Sequence, residues 1–457
     1  MNHPASLVLL FAACCALSTS VTWWLLRKKL SFGSDLPDQL RKDHGVAIPR
    51  VGGLPLFLTL AAGVLFLLAT GTIDFSKWWP LLLCNALIFG IGFVDDLRPL
   101  GAKIKLLGQI GVALLAFSLE LSIEVVSIPF GDGDVHLDAL SLPITLFWCV
   151  AITNIVNLID GMDGLASGLG MFLCICLGIV GFVGGQMGVA LLAIIMAGGL
   201  LGFLVFNLPP AKIFLGDGGA YLLGFFIASL SMHSSHKGTV AAALLVVMIA
   251  LGLPILDTLF AILRRGIRGV PLFRGDSEHI HHRLLGLGYS KNSALLVMYG
   301  VCAILSVIAL SVFLSKGFTL PIAGAAIVLF ALFAARYLGY VSDWKKLRQQ
   351  IGNALNRRKE VQYSLLHGQL LEAEIDRATC SEEYWSWFDD ALKRQGLSLE
   401  PTEGMEPVAV TYNHGRSAWT IHTPAGERTP QDWIAIGECL LPAYLGGIEK
   451  WGSPPSQ

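Results

Sequence analysis

Between Asn154 and Ser167 the chain reads Asn-Ile-Val-Asn-Leu-Ile-Asp-Gly-Met-Asp-Gly-Leu-Ala-Ser, which puts two amides and two carboxylates at the end of a strongly apolar segment. Asn154, Asn157 and Asp160 recur at i, i+3 and i+6, so on a helix they share roughly one face. Gly161 and Gly164 then break the helix and let backbone approach a ligand closely. Ionisable groups at a membrane boundary are expensive, and function is their default reading. Three more clusters have this character: Asp95-Asp96, the run Asn207 to Gly219 (Asn-Leu-Pro-Pro-Ala-Lys-Ile-Phe-Leu-Gly-Asp-Gly-Gly), and Asp276 to Arg283 (Asp-Ser-Glu-His-Ile-His-His-Arg). Carboxylates without thiolates suit a hard cation, Mg²⁺ or Mn²⁺, which bridges carboxylate and phosphate oxygens. Gly-rich turns offer N–H groups to phosphate, and Arg and His supply countercharge to a leaving phosphate. The chemistry these groups suit is diphosphate handling. Asp95 and Asp96 stand about 100° apart on a helix, so one can act as a base while the other holds a cation or a cation-binding neighbour. The histidines at 279, 281 and 282 lack further ligands at zinc spacing.

These residues need a membrane scaffold. The 457 residues are 54% hydrophobic and 14% charged, with mean hydropathy +0.65, whereas a soluble domain carries about 25% charge. A net charge of −1 gives no basic field for nucleic acid. The nine cysteines are scattered, mostly in apolar runs, and read as small apolar residues. Eleven runs are long enough to cross a bilayer: about 5–26, 52–70, 79–94, 104–120, 141–158, 166–184, 187–207, 219–233, 239–263, 293–314 and 319–338. Arg27-Lys28-Lys29 follows the first run, the pattern of an uncleaved first helix with its C-terminal end in the cytoplasm. With the N-terminus outside, inner connections hold sixteen Lys and Arg, and outer ones only Lys77, Lys237 and Lys316. All four polar clusters then fall on the cytoplasmic side. That argues against the rival reading, a membrane transporter or lipid flippase, whose sites lie near the midplane on broken helices. Ser122 to Asp138 reads as a hairpin on the outer face. Asp257 stands seven residues before Arg264, a spacing that suits a structural ion pair or a bundle-facing hydrogen bond, with a direct role in the site as the alternative.

Residues 341–457 hold 28 charged residues against 37 in the preceding 340. They read as a cytoplasmic domain: a charged helix over about 341–377, a small core anchored by Trp385, Trp387 and Phe388, and a hairpin of Val408–Tyr412 with Ala418–His422. The basic residues at its start suit anionic lipid headgroups. The fold expected is an all-α polytopic membrane protein of about eleven transmembrane helices, N-out and C-in. It carries an outer-face β-hairpin and a small α+β soluble domain, divided as 1–340 and 341–457.

Five blocks together resemble the polyprenyl-phosphate N-acetylhexosamine-1-phosphate transferases. They are Arg41-Lys42-Asp43-His44 running to Ile48-Pro49-Arg50-Val51-Gly52-Gly53; Phe93-Val94-Asp95-Asp96; Asn154 to Leu165; Phe214-Leu215-Gly216-Asp217-Gly218-Gly219; and His279-Ile280-His281-His282-Arg283. The resemblance covers about residues 1–338. It implies transfer of a HexNAc-1-phosphate, with N-acetylglucosamine the commonest sugar, from a UDP-sugar to undecaprenyl phosphate in the bacterial inner membrane, with UMP released. It implies Asp217 as the magnesium ligand, Asp95 as the carboxylate that activates the lipid phosphate, and Asp96 as its essential neighbour. Asn157, Asp160 and Asp163 fall on the nucleotide side, Asp163 near the uracil; Asn154 is counted as substrate-binding and Asp160 among the catalytic carboxylates. Asn207 and Phe214 match the uridine pocket, His44 faces the nucleotide, and His279, His281, His282 and Arg283 match a loop for sugar and diphosphate. Gly216-Asp217-Gly218-Gly219-Ala220 lacks the serine many relatives carry, and Tyr221 is the nearest hydroxyl to replace it. The histidine loop looks like the branch that starts O-antigen, enterobacterial common antigen, teichoic acid or capsule chains. The expected partners are undecaprenyl phosphate, the UDP-HexNAc, membrane lipids, a second copy in a homodimer and downstream glycosyltransferases, and no nucleic acid. Direct attack and a covalent phosphosugar-aspartate both remain open routes.

Overall fold

The computed structural model describes all residues except 1–3, 29–33, 36–47, 128–133, 236–239, 269–278, 316, 338–359, 400–404, 413–415, 425–429 and 455–457. His44 and Asp276 therefore lie outside the described residues, as do the side chains of Arg264, His281 and His282. The chain divides into two compact units, Met1–Thr258 with Leu287–Ala334, and Leu259–Gly286 with Ala335–Gln457.

Each apolar run forms helix. In order these are α1 (Pro4–Lys28), α2 (Gly53–Ala69), α3 (Phe75–Leu97), α4 (Ala102–Ser118), α5 (Ser141–Ile159), α6 (Leu165–Val183), α7 (Met187–Asn207), α8 (Gly216–Ser235), α9 (Val240–Ala250), α10 (Gly252–Arg268), α11 (Ile280–Gly286), α12 (Lys291–Leu314) and α13 (Leu320–Tyr337). Among the described residues, six helices (α1, α3, α5, α6, α7 and α12) are long and apolar enough to cross a membrane. The ninth run departs from the expected single span. It breaks at Leu251 into α9 and α10, which bend by 65° and together make at most a seventh span. Two features local to the break are Gly252, which is poor at continuing a helix, and Pro254, whose ring lacks an N–H.

α8 is the hub of the first unit. It packs against α2, α3, α5, α6, α7 and α9, and every residue from Gly218 to Met232 is buried. Its glycines, alanines and serines let neighbouring helices come close, as small residues do inside membrane bundles. α1 lies on α7 and α2, and α12 on α6 and α9. Two short antiparallel ladders accompany the helices: β1 (Ser34–Asp35) with β2 (Ile48–Pro49), and β3 (Val125–Ser127) with β4 (Asp134–His136), the latter within the expected hairpin.

In the second unit a helix over 360–374 (α14) precedes α15 (Ser381–Lys393), the hairpin β5 (Met405–Tyr412) and β6 (Arg416–Pro424), and α16 (Pro430–Trp451). Val408 pairs with Ile421, and a bulge falls between Val410 and Thr411. Tyr384, Trp385, Phe388, Trp419, Trp433 and Leu440 build the core, with Trp387 packed at its margin. The Tyr384 hydroxyl donates to Ala443 O at 2.6 Å, which satisfies the polar end of a wholly buried ring. Cys380, at the N-cap of α15, is exposed, whereas the other cysteines are buried apart from half-buried Cys15.

Candidate active site

Four chain segments meet at the start of α8. The first is the C-terminal end of α3. Here Asp95 and Asp96 diverge as their spacing requires. Asp96 turns to α8, where its Oδ1 accepts from Asp217 N and its Oδ2 from Gly218 N, each at 2.8 Å. A carboxylate thereby caps the positive end of a helix that is not its own. Gly216 has φ +74°, and a Cβ there would meet Arg50 O and stand 2.7 Å from an Asp96 carboxylate oxygen. Only glycine fits both the backbone and the space.

Asp95 goes the other way. Its Oδ1 accepts from Leu100 N at 2.6 Å and its Oδ2 from Lys105 Nζ at 3.1 Å. The same ammonium donates to Asp217 Oδ2 at 2.8 Å. Asp217 Oδ1 accepts from Asn157 Nδ2 at 3.2 Å. One cation and one amide thus hold Asp217, and the cation also holds Asp95.

The second segment is the end of α5. Asn154 and Asn157 project from the helix proper, whereas Asp160 is the residue that ends it, its N–H reaching Asn157 O at 3.2 Å. Asp160 keeps some exposure as a residue, but its carboxyl lies among charged groups. Burial pushes that carboxyl well above the usual carboxylate range, Asp217 and Asp96 push the same way, and Arg50 pulls against them. Asp163 Oδ2 accepts from Ala211 N at 3.1 Å and so ties the turn to the third segment, the connection into α8. Gly164, at φ +78°, opens α6, and its carbonyl accepts from the Tyr299 hydroxyl at 2.6 Å. Asn207 is buried, with Oδ1 accepting from Ser167 Oγ and Nδ2 donating to Ile213 O, both at 2.9 Å. The fourth segment is the backbone after β2: Phe214 N donates to Pro49 O at 2.9 Å, and Gly52 N donates to Phe214 O at 3.0 Å. That clamp is what brings Arg50 to the carboxylates.

The first unit thus gathers Asp95, Asp96, Asn154, Asn157, Asp160, Asp163, Asn207, Phe214 and Asp217. His279, which is buried, and Arg283 belong to the second unit, where Arg283 N donates to His279 O at 3.1 Å. Lys105 enters the sequence only as one of the inner-face charges, and Arg50 only as part of the first motif block, with no role of its own. The signal for Lys105 was a lysine four residues before Gln109 on a mostly apolar helix whose only other charge is Lys103.

Among the described residues, no three His, Cys, Asp or Glu gather as a metal cage. Mg²⁺ needs none, since it binds through one or two carboxylates together with substrate phosphates and water. The residues fit such an ion. Asp217 and Asp95 already turn oxygens toward one positive charge, and the remaining donor is the oxygen-bearing amide Asn157. The arrangement can hold a diphosphate and its counter-cation against two carboxylates, with the N-terminus of α8 behind.

Residues 78–235, which hold this cluster from Asp95 to Asp217, match glycosyl transferase family 4. The chain is 38% identical to a probable undecaprenyl-phosphate N-acetylglucosaminyl 1-phosphate transferase of Bacillus subtilis, over 59% of this chain and 75% of the relative. It is 34% identical to a decaprenyl-phosphate N-acetylglucosaminephosphotransferase of Mycolicibacterium smegmatis, over 67% and 82%. A phospho-N-acetylmuramoyl-pentapeptide-transferase of Listeria monocytogenes is 33% identical, over 62% and 90%. The chain belongs to the polyprenyl-phosphate N-acetylhexosamine-1-phosphate transferase family.

Proposed function

We propose that this enzyme transfers N-acetylglucosamine-1-phosphate, or a closely related HexNAc-1-phosphate, from its UDP-sugar to undecaprenyl phosphate, releasing UMP. The observation that carries the reading is the convergence of Asp95, Lys105 and Asn157 on Asp217 at the head of a buried helix. The site faces the cytoplasm of a bacterial inner membrane in this reading, supported by the Lys and Arg bias of the connections. The reaction opens a cell-surface polysaccharide pathway.

A lipid phosphate oxygen attacks the β-phosphorus of the UDP-sugar. A new phosphorus–oxygen bond forms, the bond to the bridging oxygen breaks, and that oxygen leaves on UMP. Asp95 takes the lipid phosphate's proton or aligns the phosphate. Asp217 and Asn157 would hold Mg²⁺, which when bound neutralises charge on the diphosphate. Lys105, freed from Asp217 as phosphate arrives, adds countercharge to the diphosphate. Asp96 keeps the α8 N–H groups in place while this happens.

Purified protein in detergent, given radiolabelled UDP-N-acetylglucosamine and undecaprenyl phosphate, is expected to move label into the lipid phase with release of UMP. Unchanged substrates across a panel of UDP-sugars would overturn the reading and favour a transporter or flippase. The panel also identifies the sugar.

A further inference from the structure

We propose that Gln109 and Asn154 form a positioning clamp that sets how Lys105 and Asn157 meet on Asp217, so that Asn154 acts through its neighbours and touches no substrate. The activity readouts below rest on the transferase reading. The two amides bond reciprocally: Asn154 Nδ2 donates to Gln109 Oε1 at 2.6 Å, and Gln109 Nε2 donates to Asn154 Oδ1 at 3.4 Å. Asn154 Nδ2 also donates to Val150 O at 2.8 Å. Both ends of the Asn154 amide are therefore spent on protein. Gln109 is buried, and the Tyr221 hydroxyl lies alongside its amide, which brings α8 into the same contact.

The need for a clamp comes from α4. Its outward residues Ile104, Leu107 and Leu114 are exposed. Its buried residues are Gln109, Val112, Ala113 and Ala116. Val112, Ala113 and Ala116 are short, so Gln109 is the one long side chain among these four, and it reaches across to α5 with a polar group. Gln109 stands one turn along α4 from Lys105, and Asn154 one turn along α5 from Asn157. Fixing the amide pair therefore fixes both donors to Asp217. A slip of one residue moves a side chain by about 1.5 Å along the axis, and misplacement by about 1 Å costs as much as 10²-fold in rate. Buried amides without partners are costly, so the pair is held closed.

The test is a double-variant cycle on the full-length protein in detergent: Gln109→Leu, Asn154→Leu, both together, and the exchanged pair Gln109→Asn with Asn154→Gln. Each single variant is expected to lower kcat by roughly 10- to 100-fold, with KM for UDP-N-acetylglucosamine within about two-fold of the parent. The double leucine variant is expected to melt no lower than the less stable single variant, since neither amide is orphaned, yet to stay as slow as the slower single variant. The exchanged pair is expected to turn over faster than either single. Three results would overturn the clamp: a double leucine variant with parental kcat, an exchanged pair no faster than the singles, or an Asn154→Leu variant whose KM rises about ten-fold whichever residue occupies 109. Inactivity of the parent protein on every UDP-sugar would refute the transferase reading instead. The melting temperatures of the same cycle would then still report whether the two amides are coupled.

Discussion

Lys105 is the residue on which two carboxylates depend. It lies 3.1 Å from Asp95 and 2.8 Å from Asp217, with about a quarter of its side chain exposed. Lys105→Met leaves two carboxylates facing each other without countercharge, and kcat is expected to fall by roughly 10²-fold or more, the cost of one preorganised charge contact. Steady-state kinetics check this, and a variant at half the parental kcat would remove Lys105 from the chemistry. On the proposed reading, with Mg²⁺ at Asp217, Asp217→Asn is expected to fall by at least as much, about 10²-fold, and to flatten the Mg²⁺ dependence, because the substitution removes a formal charge. Initial rates over a Mg²⁺ series decide it; near-parental rates at low Mg²⁺ would take Asp217 off the ion. The two aspartates after Val94 show what the sequence could and could not say. Their divergence follows from helix geometry alone. Which one meets a cation and which one caps α8 depends on partners 10 and 121 residues away, and nothing in local spacing encodes that. The same holds for the bonds of Asn207, which the resemblance places at the uridine pocket: its amide meets Ser167 and Ile213, partners that its own position in the sequence does not name.

At the scale of elements, the site is a set of helix ends pinned to one helix start. α8 begins where Gly216 allows a left-handed residue and Asp96 supplies the acceptors. Gly216→Ala is therefore expected to destabilise the protein by about 1–2 kcal/mol from the backbone alone, with more from the crowding against Arg50 O. The change should appear as a lower melting temperature in detergent together with lost activity. A fully stable, fully active Gly216→Ala variant would mean that the start of α8 can relax without cost. Helix positions were legible because apolar runs set them, and the hairpins at β3–β4 and β5–β6 were legible from alternation. The break at Leu251 was not, since hydropathy runs unbroken through it and only Gly252 and Pro254 hint at a bend. α4, at 17 residues, and α8, which carries Asp217 in its first turn and ends in His233, Ser234 and Ser235, fall outside the six apolar helices.

For the whole molecule, the division into two units changes what removal of the tail should do. Leu259–Gly286, with His279 and Arg283, groups with Ala335–Gln457. A chain ending near Leu347 keeps every residue bonded to Asp217, so it is expected to insert and retain kcat. On the proposed reading, with the histidine segment serving sugar and diphosphate, loss of its companions in the second unit should instead appear as a raised KM for the UDP-sugar. A folded, inactive product would make the tail part of the catalytic apparatus. The lone exposed cysteine also makes the native protein its own topological probe. Cys380 is the thiol open to reagent, while Cys15 is half-covered and the other seven are buried. An impermeant maleimide should therefore leave intact spheroplasts unlabelled and label inside-out vesicles at a single site, abolished by Cys380→Ser. Labelling in spheroplasts would place the tail, and with it the sense of the whole bundle, on the opposite face.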